Sequence, residues 1–261
     1  MAGSAHKNDR RRGFTVLELL VVFTITSLLA GMLVSGLGQA RTTARRAMCL
    51  SNVKGIMNAI HAYAVDQNDV IPYGPTAPPP SPSNLYPVTG LVTSQLSLSD
   101  GRPVGLGLLL SDYLDHQSDV LFCPGADQPQ DAEVELAKVG TRQAISGYFY
   151  RHGSNTLAGV REPRGTWVTH ITLSRLGRNR DDAPIRALVV DQNFLTGVPL
   201  AAFGIVDRTN HKQKWVNVGF ADGHADSRVN SHGEFTVNVG LFPFSGPELI
   251  LEVFEKLDRE E

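Results

Sequence analysis

The amino-acid sequence predicts an α+β protein in which a long N-terminal helix packs on an antiparallel β-sheet head. An almost uncharged apolar run covers residues 14–37, and apolar residues then recur at steps of three and four to about residue 66. The second half of the chain alternates apolar and polar residues between turn signals, which is typical of strands. After a leader and a membrane span, about 220 of the 261 residues remain, enough for one head domain.

The run at 14–37 is long enough to cross a membrane. At 1.5 Å per residue it spans about 36 Å, more than a hydrocarbon core of about 30 Å. Glu18 is its one charged residue. A carboxylate in a membrane span costs about 2.5 kcal/mol or more, so we expect a partner to compensate for it.

Two simpler interpretations of the run stay open. A secretory signal peptide has an apolar region of about 7–15 residues, which is shorter than this run. A twin-arginine signal could begin at Arg11-Arg12, although Glu18 in the apolar region argues against it.

The helix is predicted to continue through residues 38–66 as an amphipathic half. Apolar residues there form one stripe: Leu50, Val53, Met57, Ile60 and Ala64. The stop signal is Asp66-Gln67-Asn68-Asp69, followed by Pro72. A single helix from about residue 15 to about residue 65 would be about 75 Å long.

Residues 67–261 are predicted to form the α+β head. Its first part, at about 72–101, is rich in proline and serine and is predicted to be a surface excursion that adds little to the core. A short helix at 106–114, an extended run at 120–124 and a helix at 131–139 with Asp131 as its N-cap follow.

The strands are predicted from alternation between turn signals, at residues 146–151, 166–173, 187–191, 203–206, 215–221, 224–229 and 234–239. Asp222-Gly223 lies between two alternating runs and predicts a hairpin with a two-residue turn of positive φ. An amphipathic helix is predicted after Gly246, with Pro247 in its first turn.

Charge and motifs argue against two large classes of function. The formal net charge is -2, and a chain starting at Phe14 would carry about -5, so no nucleic-acid surface is expected. No serine has a nucleophile-elbow sequence, and the glycines form no phosphate-binding loop. The residue types of a hydrolase triad occur, but without its motifs, so no enzyme is predicted: His170, Ser174, Asp191 and His211.

The segment from Gly13 to Glu18, Gly-Phe-Thr-Val-Leu-Glu, resembles the processing site of type IV pilins and of type II secretion pseudopilins. The resemblance implies a leader at 1–13, cleavage after Gly13 by a prepilin peptidase and N-methylation of Phe14. Glu18 would then be the fifth residue of the mature chain and would align an incoming subunit by pairing with its N-terminal amine. Val16 stands where leucine is usual, a conservative departure.

The same resemblance implies a pilin-like fold and a structural role in a type IV pilus-like or pseudopilus filament. The partners would be a prepilin peptidase, other pilin or pseudopilin subunits and the cytoplasmic membrane. The chain would be single-pass, with a cytoplasmic N-terminus and a periplasmic or extracellular head. The alternative is a membrane-tethered surface or binding protein that carries the prepilin signal and does not polymerise.

The C-terminal half resembles a planctomycete-type sub-family of pilin-like proteins, whose signature is a histidine, a spacer and an Asp-Gly turn. His211 and Asp222-Gly223 carry this resemblance, and residues 46–54 and 122–124 extend it. Ten residues separate His211 from Asp222, one more than is usual, which indicates an insertion or a bulge.

Cys49 and Cys123 are the two cysteines of the chain. They could form a disulfide or remain two buried free thiols. Because both lie in segments that carry the resemblance and flank the proline-rich excursion, we predict the disulfide. It would close a loop of about 75 residues and stabilise the head by about 4 kcal/mol on the loop-entropy model.

No cofactor is predicted, although metal ligands were considered. Four residues are of metal-compatible types: His211, Asp222, His224 and Asp226. Asp222 is needed by the turn, however, and His224 and Asp226 would be ordinary on an exposed face of a hairpin. Some pseudopilins hold calcium through loop oxygens. If an ion binds, that resemblance favours calcium, with three candidate carboxylates: Asp191, Asp207 and Asp222.

Overall fold

The computed structural model describes residues 14–75, 91–125, 127–128, 130–153, 160–161, 167–168, 171–196, 206–240 and 246–259. The leader at 1–13, which includes Gly13, therefore lies outside the described residues, as do residues 76–90 of the proline-rich segment. The chain divides into two compact units, Met1–Ala44 and Arg45–Glu261.

The predicted α+β fold, with a long N-terminal helix and an antiparallel sheet, is confirmed. The helices are α1 (Val16–Asp66), α2 (Ala132–Leu136) and α3 (Gly246–Arg259). Short 3-10 segments lie at Gly105–Leu109, Asp115–Leu121 and His211–Gln213. The strands are β1 (Val92–Ser97), β2 (Ala144–Arg151), β3 (Val160–Arg161), β4 (Trp167–Val168), β5 (Ala187–Asp191), β6 (Phe194–Leu195), β7 (Trp215–Phe220), β8 (Ala225–Val229) and β9 (Val237–Asn238).

In the first unit, the described side chains of α1 are exposed and most of them are apolar. Among the described residues, α1 is the helix that is long and apolar enough to cross a membrane. Its exposed large apolar residues lie on every side of the helix and include Val16, Leu17, Leu19, Leu20, Phe23, Leu28 and Leu33. A helix that is apolar all round, and not along one stripe, is suited to a lipid environment.

In the second unit, five strands form one antiparallel sheet in the order β1-β2-β5-β7-β8. Strands β7 and β8 form the predicted hairpin, with Gly219 opposite Ala225. The turn has three residues and not the predicted two, because Phe220 N donates to His224 O at 2.9 Å. Gly223 has a φ of 87°, a conformation that glycine adopts without a steric penalty.

The sheet is covered by a helix on each face. The amphipathic half of α1 packs on one face through Val53, Met57 and Ile60 of the predicted stripe, together with Cys49 and Ile56. Helix α3 packs on the other face through Ile250, Leu251, Val253, Phe254 and Leu257. The two apolar clusters on either side of the sheet form the core of the head.

Helix α1 comes closest to the sheet at Gly219 in β7. A β-carbon added to Gly219 would lie 2.7 Å from Met57 Cγ and 3.0 Å from Val53 Cγ1. Near the first turn of α1 in this unit, Arg46 stacks 3.4 Å above the ring of Trp215, and its Nε donates to Ser227 Oγ at 2.8 Å. These contacts fix the helix against β7 and β8.

Both edges of the sheet have a distinct chemistry. The chain itself covers the outer edge of β1, since Leu98 N donates to Arg102 O and Val104 N to Leu96 O, both at 2.9 Å. Strand β8 lies at the other edge and carries a partly exposed ion pair, Arg228 with Asp226 at 3.2 Å.

Two predictions about the head were wrong. Strand β1 lies inside the predicted surface excursion at 72–101, and all of its side chains are buried. Its residues, Val-Thr-Ser-Gln-Leu-Ser, have a polar composition typical of loops, but β2 and the following 3-10 segment cover them. The predicted extended run at 120–124 begins inside the 3-10 segment Asp115–Leu121 and becomes extended only from Phe122.

The other predicted elements differ mainly in extent. The helix at 131–139 shortens to α2, with Asp131 accepting from Val134 N as its N-cap. The helix at 106–114 is a 3-10 segment followed by turns. The strand predicted at 234–239 is shorter and forms β9. Of the strand predicted at 166–173, the structure describes β4 and a bridge at Thr172. Most of the strand predicted at 203–206 lies outside the described residues.

A buried ion pair joins α3 to the sheet. Arg151 at the end of β2 donates to Asp258 Oδ2 at 2.7 Å, and both side chains are at most 2% exposed. The other oxygen, Oδ1, accepts from Arg186 N at 2.8 Å and from Ala187 N at 3.0 Å. Asp258 therefore connects α3 to the starting end of β5.

We expect Asp258→Asn to lower the free energy of unfolding by about 3–5 kcal/mol, because it leaves the buried guanidinium of Arg151 without its counter-charge. The measurement is urea unfolding of the full-length chain in mild detergent. The matched control is Asp181→Asn. Asp181 forms an exposed ion pair with Arg259, which lies on α3 next to Asp258, and its loss should cost at most about 1 kcal/mol. Equal losses in the two variants would contradict the prediction.

Candidate functional site

The N-terminus of α1 carries a reciprocal cap between Thr15 and Glu18. Glu18 N donates to Thr15 Oγ1 at 3.2 Å, and Thr15 N donates to Glu18 Oε2 at 2.9 Å. The Thr15 hydroxyl also donates to Glu18 Oε2, at 2.8 Å. This is the capping box of a Thr-x-x-Glu sequence, which starts the helix at Val16. The pattern is readable in the sequence, but the sequence analysis did not identify it.

The capping box explains part of what Glu18 does. Its carboxylate satisfies backbone and hydroxyl donors at the first turn, where a helix has unpaired N–H groups and a positive dipole end. Both contacts from Thr15 to the Glu18 carboxylate are accepted by Oε2. Phe14, next to this cap, is 78% exposed.

Residues 8–34 match the family described as the prokaryotic N-terminal methylation motif. The chain carries a prepilin-type motif. The matched segment includes Gly13, Phe14 and Glu18, the residues on which the resemblance to pilins depends. It supports a type IV pilin-like chain that is a substrate of prepilin peptidase and is anchored in a membrane by one helix. No curated protein and no solved structure matches the chain.

The matched segment does not reach the head, so the planctomycete-type sub-family stays a prediction. The histidine of that signature, His211, nevertheless has a specific location. It lies in a buried cluster with Cys49, Cys123 and Asp191, whose ligand-type atoms all lie within 4.8 Å of one another. Among the described residues, this is the group of histidine, cysteine and carboxylate side chains that could hold a metal ion.

Four separate elements bring the cluster together. Cys49 comes from α1, Cys123 follows the 3-10 segment Asp115–Leu121, Asp191 ends β5 and His211 begins the short turn before β7. Cys49 Sγ donates to Asp191 Oδ1 at 3.1 Å. His211 Nε2 lies 3.5 Å from Cys123 Sγ and 3.6 Å from Asp191 Oδ2.

Polar neighbours surround the Asp191 carboxylate. Asn217 donates twice to Oδ2, from its backbone N and from Nδ2, both at 2.9 Å. Asn210 Nδ2 donates to Oδ1 at 3.1 Å. Tyr148, opposite Asp191 in the sheet, places its hydroxyl 3.2 Å from Cys49 Sγ. A carboxylate this deeply buried is stabilised by these donors.

The cluster shifts the acidity of its members. Burial raises the pKa of Asp191, against the opposing effects of His211 and the hydrogen bonds. Burial, together with Cys123 and the charge of Asp191, raises the pKa of Cys49 well above its ordinary value. The hydrogen bond from Cys49 lowers the pKa of Cys123 in spite of its burial. Cys123 is therefore the thiol of the pair that ionises first.

Burial opposes the charged form of His211, but its contacts with Cys123 and Asp191 raise its pKa overall. The backbone at this residue is also unusual. His211, Lys212 and Gln213 have φ values of 52°, 53° and 59°, a left-handed conformation that costs about 1–2 kcal/mol per residue outside glycine. Lys212 N donates to Asp127 Oδ2 at 2.7 Å, which helps to hold the turn. Strain of this kind is found where a side chain must be held at a particular place.

The predicted site residues are only partly brought together. Cys49 and Cys123 are neighbours, but both are free thiols in this structure, so the disulfide is not formed here and stays a prediction for the oxidised chain. Asp191 belongs to the buried cluster. Asp207 is exposed and accepts from Thr196 N at 2.6 Å. Asp222 lies in the β7–β8 turn, about 16 Å along the strand from Asn217.

The sequence analysis missed the cluster because its members are far apart along the chain. Three of its residues stood in separate predictions, Cys49 and Cys123 as a disulfide, and Asp191 as a calcium ligand. His211 was considered as a triad residue type, as part of the C-terminal signature and as a metal-compatible residue beside the hairpin, but not together with the two cysteines. One signal was available in the sequence. The three segments that carry the resemblance each contain one residue of the cluster: Cys49, Cys123 and His211.

We expect Asn217→Ala to lower the free energy of unfolding by about 1–3 kcal/mol, because Asp191 loses a buried hydrogen bond that it cannot replace with water. Urea unfolding, followed by tryptophan fluorescence, measures this loss. Asn58→Ala, an exposed asparagine of α1, is the control and should change stability by less than about 0.5 kcal/mol. A loss in Asn217→Ala no greater than in the control would show that the Asn217 side chain does not support the cluster.

Proposed function

We propose that the chain is a structural subunit of a type IV pilus-like or type II secretion pseudopilus filament. A prepilin peptidase cleaves it after Gly13, Phe14 is N-methylated, and the subunit enters the filament through α1. The observation that carries this proposal is the match of residues 8–34 to the N-terminal methylation motif.

The exposed surface of α1 supports the proposal. From Val16 to Leu33, its large apolar side chains are exposed by up to 83%. Such a surface is stable in a membrane or against the same helix of other subunits. Both environments occur in turn for a subunit that leaves a membrane to join a filament.

Glu18 has two tasks in this proposal. It caps its own helix through Oε2, and its negative charge attracts the N-terminal amine of a neighbouring subunit's Phe14. An ion pair in an apolar environment is far less costly than an isolated carboxylate. The charge therefore selects the axial position of an incoming subunit.

We expect Gly13→Val to block processing, because the peptidase must accommodate the residue before the cleaved bond. The mass of the N-terminal peptide checks this: the native chain should begin at methylated Phe14, and the variant should keep residues 1–13. Gly31→Val is the matched control, since a β-carbon there meets nothing within 4 Å. A shortened, methylated Gly13→Val chain would refute the processing step.

We expect Glu18→Gln to remove most filament incorporation while leaving cleavage and membrane location unchanged. Glutamine also completes a capping box, so this variant removes the charge and keeps the start of the helix. Thr15→Ala is the complementary variant, which loses the Thr15 hydroxyl but keeps the charge and should still assemble. Cross-linking between copies in the membrane and in sheared filaments measures incorporation.

The pair of variants separates filament assembly from simple tethering. If Glu18→Gln cross-links as well as the native chain, the charge does not direct assembly. If the native chain is processed and yet forms no contacts between copies, it is a tethered, non-polymerising protein, and the filament proposal fails while the processing step stands.

A further inference from the structure

The buried cluster has the donor set of a closed zinc site. Two cysteine sulfurs, one imidazole nitrogen and one carboxylate meet in the interior, and each of the four residues is at most 7% exposed. Zinc takes four ligands of these types in structural sites, arranged as a tetrahedron. We infer that Cys49, Cys123, Asp191 and His211 bind a structural zinc ion in the head.

The spacing of the ligand atoms fits such a tetrahedron. Zinc bonds of about 2.0–2.3 Å place tetrahedral ligands about 3.3–3.8 Å apart. The contacts in the cluster are 3.1 Å from Cys49 Sγ to Asp191 Oδ1, 3.5 Å from Cys123 Sγ to His211 Nε2, and 3.6 Å from that nitrogen to Asp191 Oδ2. Each of these three contacts lies within about 0.5 Å of the tetrahedral spacing, although they use both oxygens of Asp191. All four ligand atoms lie within 4.8 Å of one another, so a zinc ion would draw them slightly closer together.

Neighbouring groups orient the imidazole ligand. Asn217 Nδ2 donates to Asp191 Oδ2, which fixes the orientation of this amide, and lies 3.2 Å from His211 Nε2. An amide donor next to Nε2 requires a lone pair on that nitrogen and the proton on Nδ1. The same neutral tautomer binds a metal through Nε2, and the zinc would then take the lone pair that faces the Asn217 amide in this structure.

Outer hydrogen bonds also suit the charge of a zinc site. Two thiolates and one carboxylate around a divalent ion leave a net charge of about -1. Hydrogen-bond donors surround the ligands that would carry this negative charge. The Tyr148 hydroxyl lies beside Cys49 Sγ, and Asn210 and Asn217 donate to the Asp191 carboxylate. The left-handed turn at His211 is a further cost that a metal bond to this residue would offset.

The donor chemistry selects zinc over the two predicted alternatives. Calcium takes six to eight oxygens, whereas this cluster offers two sulfurs and a nitrogen. A disulfide would use both sulfurs but would give no role to the Asp191 carboxylate and the His211 imidazole beside them. Zinc accounts for all four residues and keeps both thiols from oxidation.

The test uses the full-length chain, purified in mild detergent without chelators, and measures bound zinc by mass spectrometry of the metal. We expect about one zinc ion per chain. Cys123→Ser and His211→Ala should weaken zinc binding by more than the roughly 10- to 100-fold that loss of an outer hydrogen bond costs. His224→Ala, which changes an exposed histidine of the hairpin, is the control and should keep the metal.

Cobalt keeps the test valid if a ligand variant does not fold. Cobalt(II) exchanged into the native chain should show sulfur-to-cobalt charge-transfer absorption and the strong visible bands of a tetrahedral site. A native chain without zinc, with either two reactive thiols or an intramolecular disulfide, would overturn the inference. So would zinc that remains bound at native affinity in both ligand variants.

Discussion

Helix α1 can approach the sheet closely because Gly219 carries no side chain, and Met57 and Val53 occupy the space above it. Cys49 lies one helical turn before Val53 on the same stripe, so the depth of this contact also determines how far Cys49 reaches into the head. Tyr148 and Asp191, which are paired across β2 and β5, meet the thiol there. The position of the buried cluster therefore follows from the packing of one helix on one glycine.

The other face of the sheet is held by a different kind of interaction. Apolar burial of α3 supplies the area, but the Arg151–Asp258 pair specifies the position of the helix, since Asp258 also accepts from two backbone groups of the sheet. Buried charges of this kind add little net stability but are costly to misplace. The head thus combines apolar packing on both faces with one buried ion pair that specifies the position of α3.

Much of the fold could be predicted from local patterns, whereas the cluster could not. The stripe of α1, the apolar strand β5 and the Asp-Gly hairpin each have a signal within a few residues. Strand β1 was missed because its burial depends on later segments that cover it. His211 joins Cys49 only after α1 has packed and the left-handed turn has formed, so neither spacing nor periodicity relates them.

The edges of the sheet restrict how copies of the chain can associate. An open strand edge invites pairing with another chain, but β1 is covered by the segment that follows it, and β8 presents Asp226 and Arg228. Stacking of heads through continuous β-sheets, the route by which amyloid grows, is therefore disfavoured on both sides. Covered or charged edges of this kind reduce the risk that copies of a membrane-anchored chain aggregate through strand pairing.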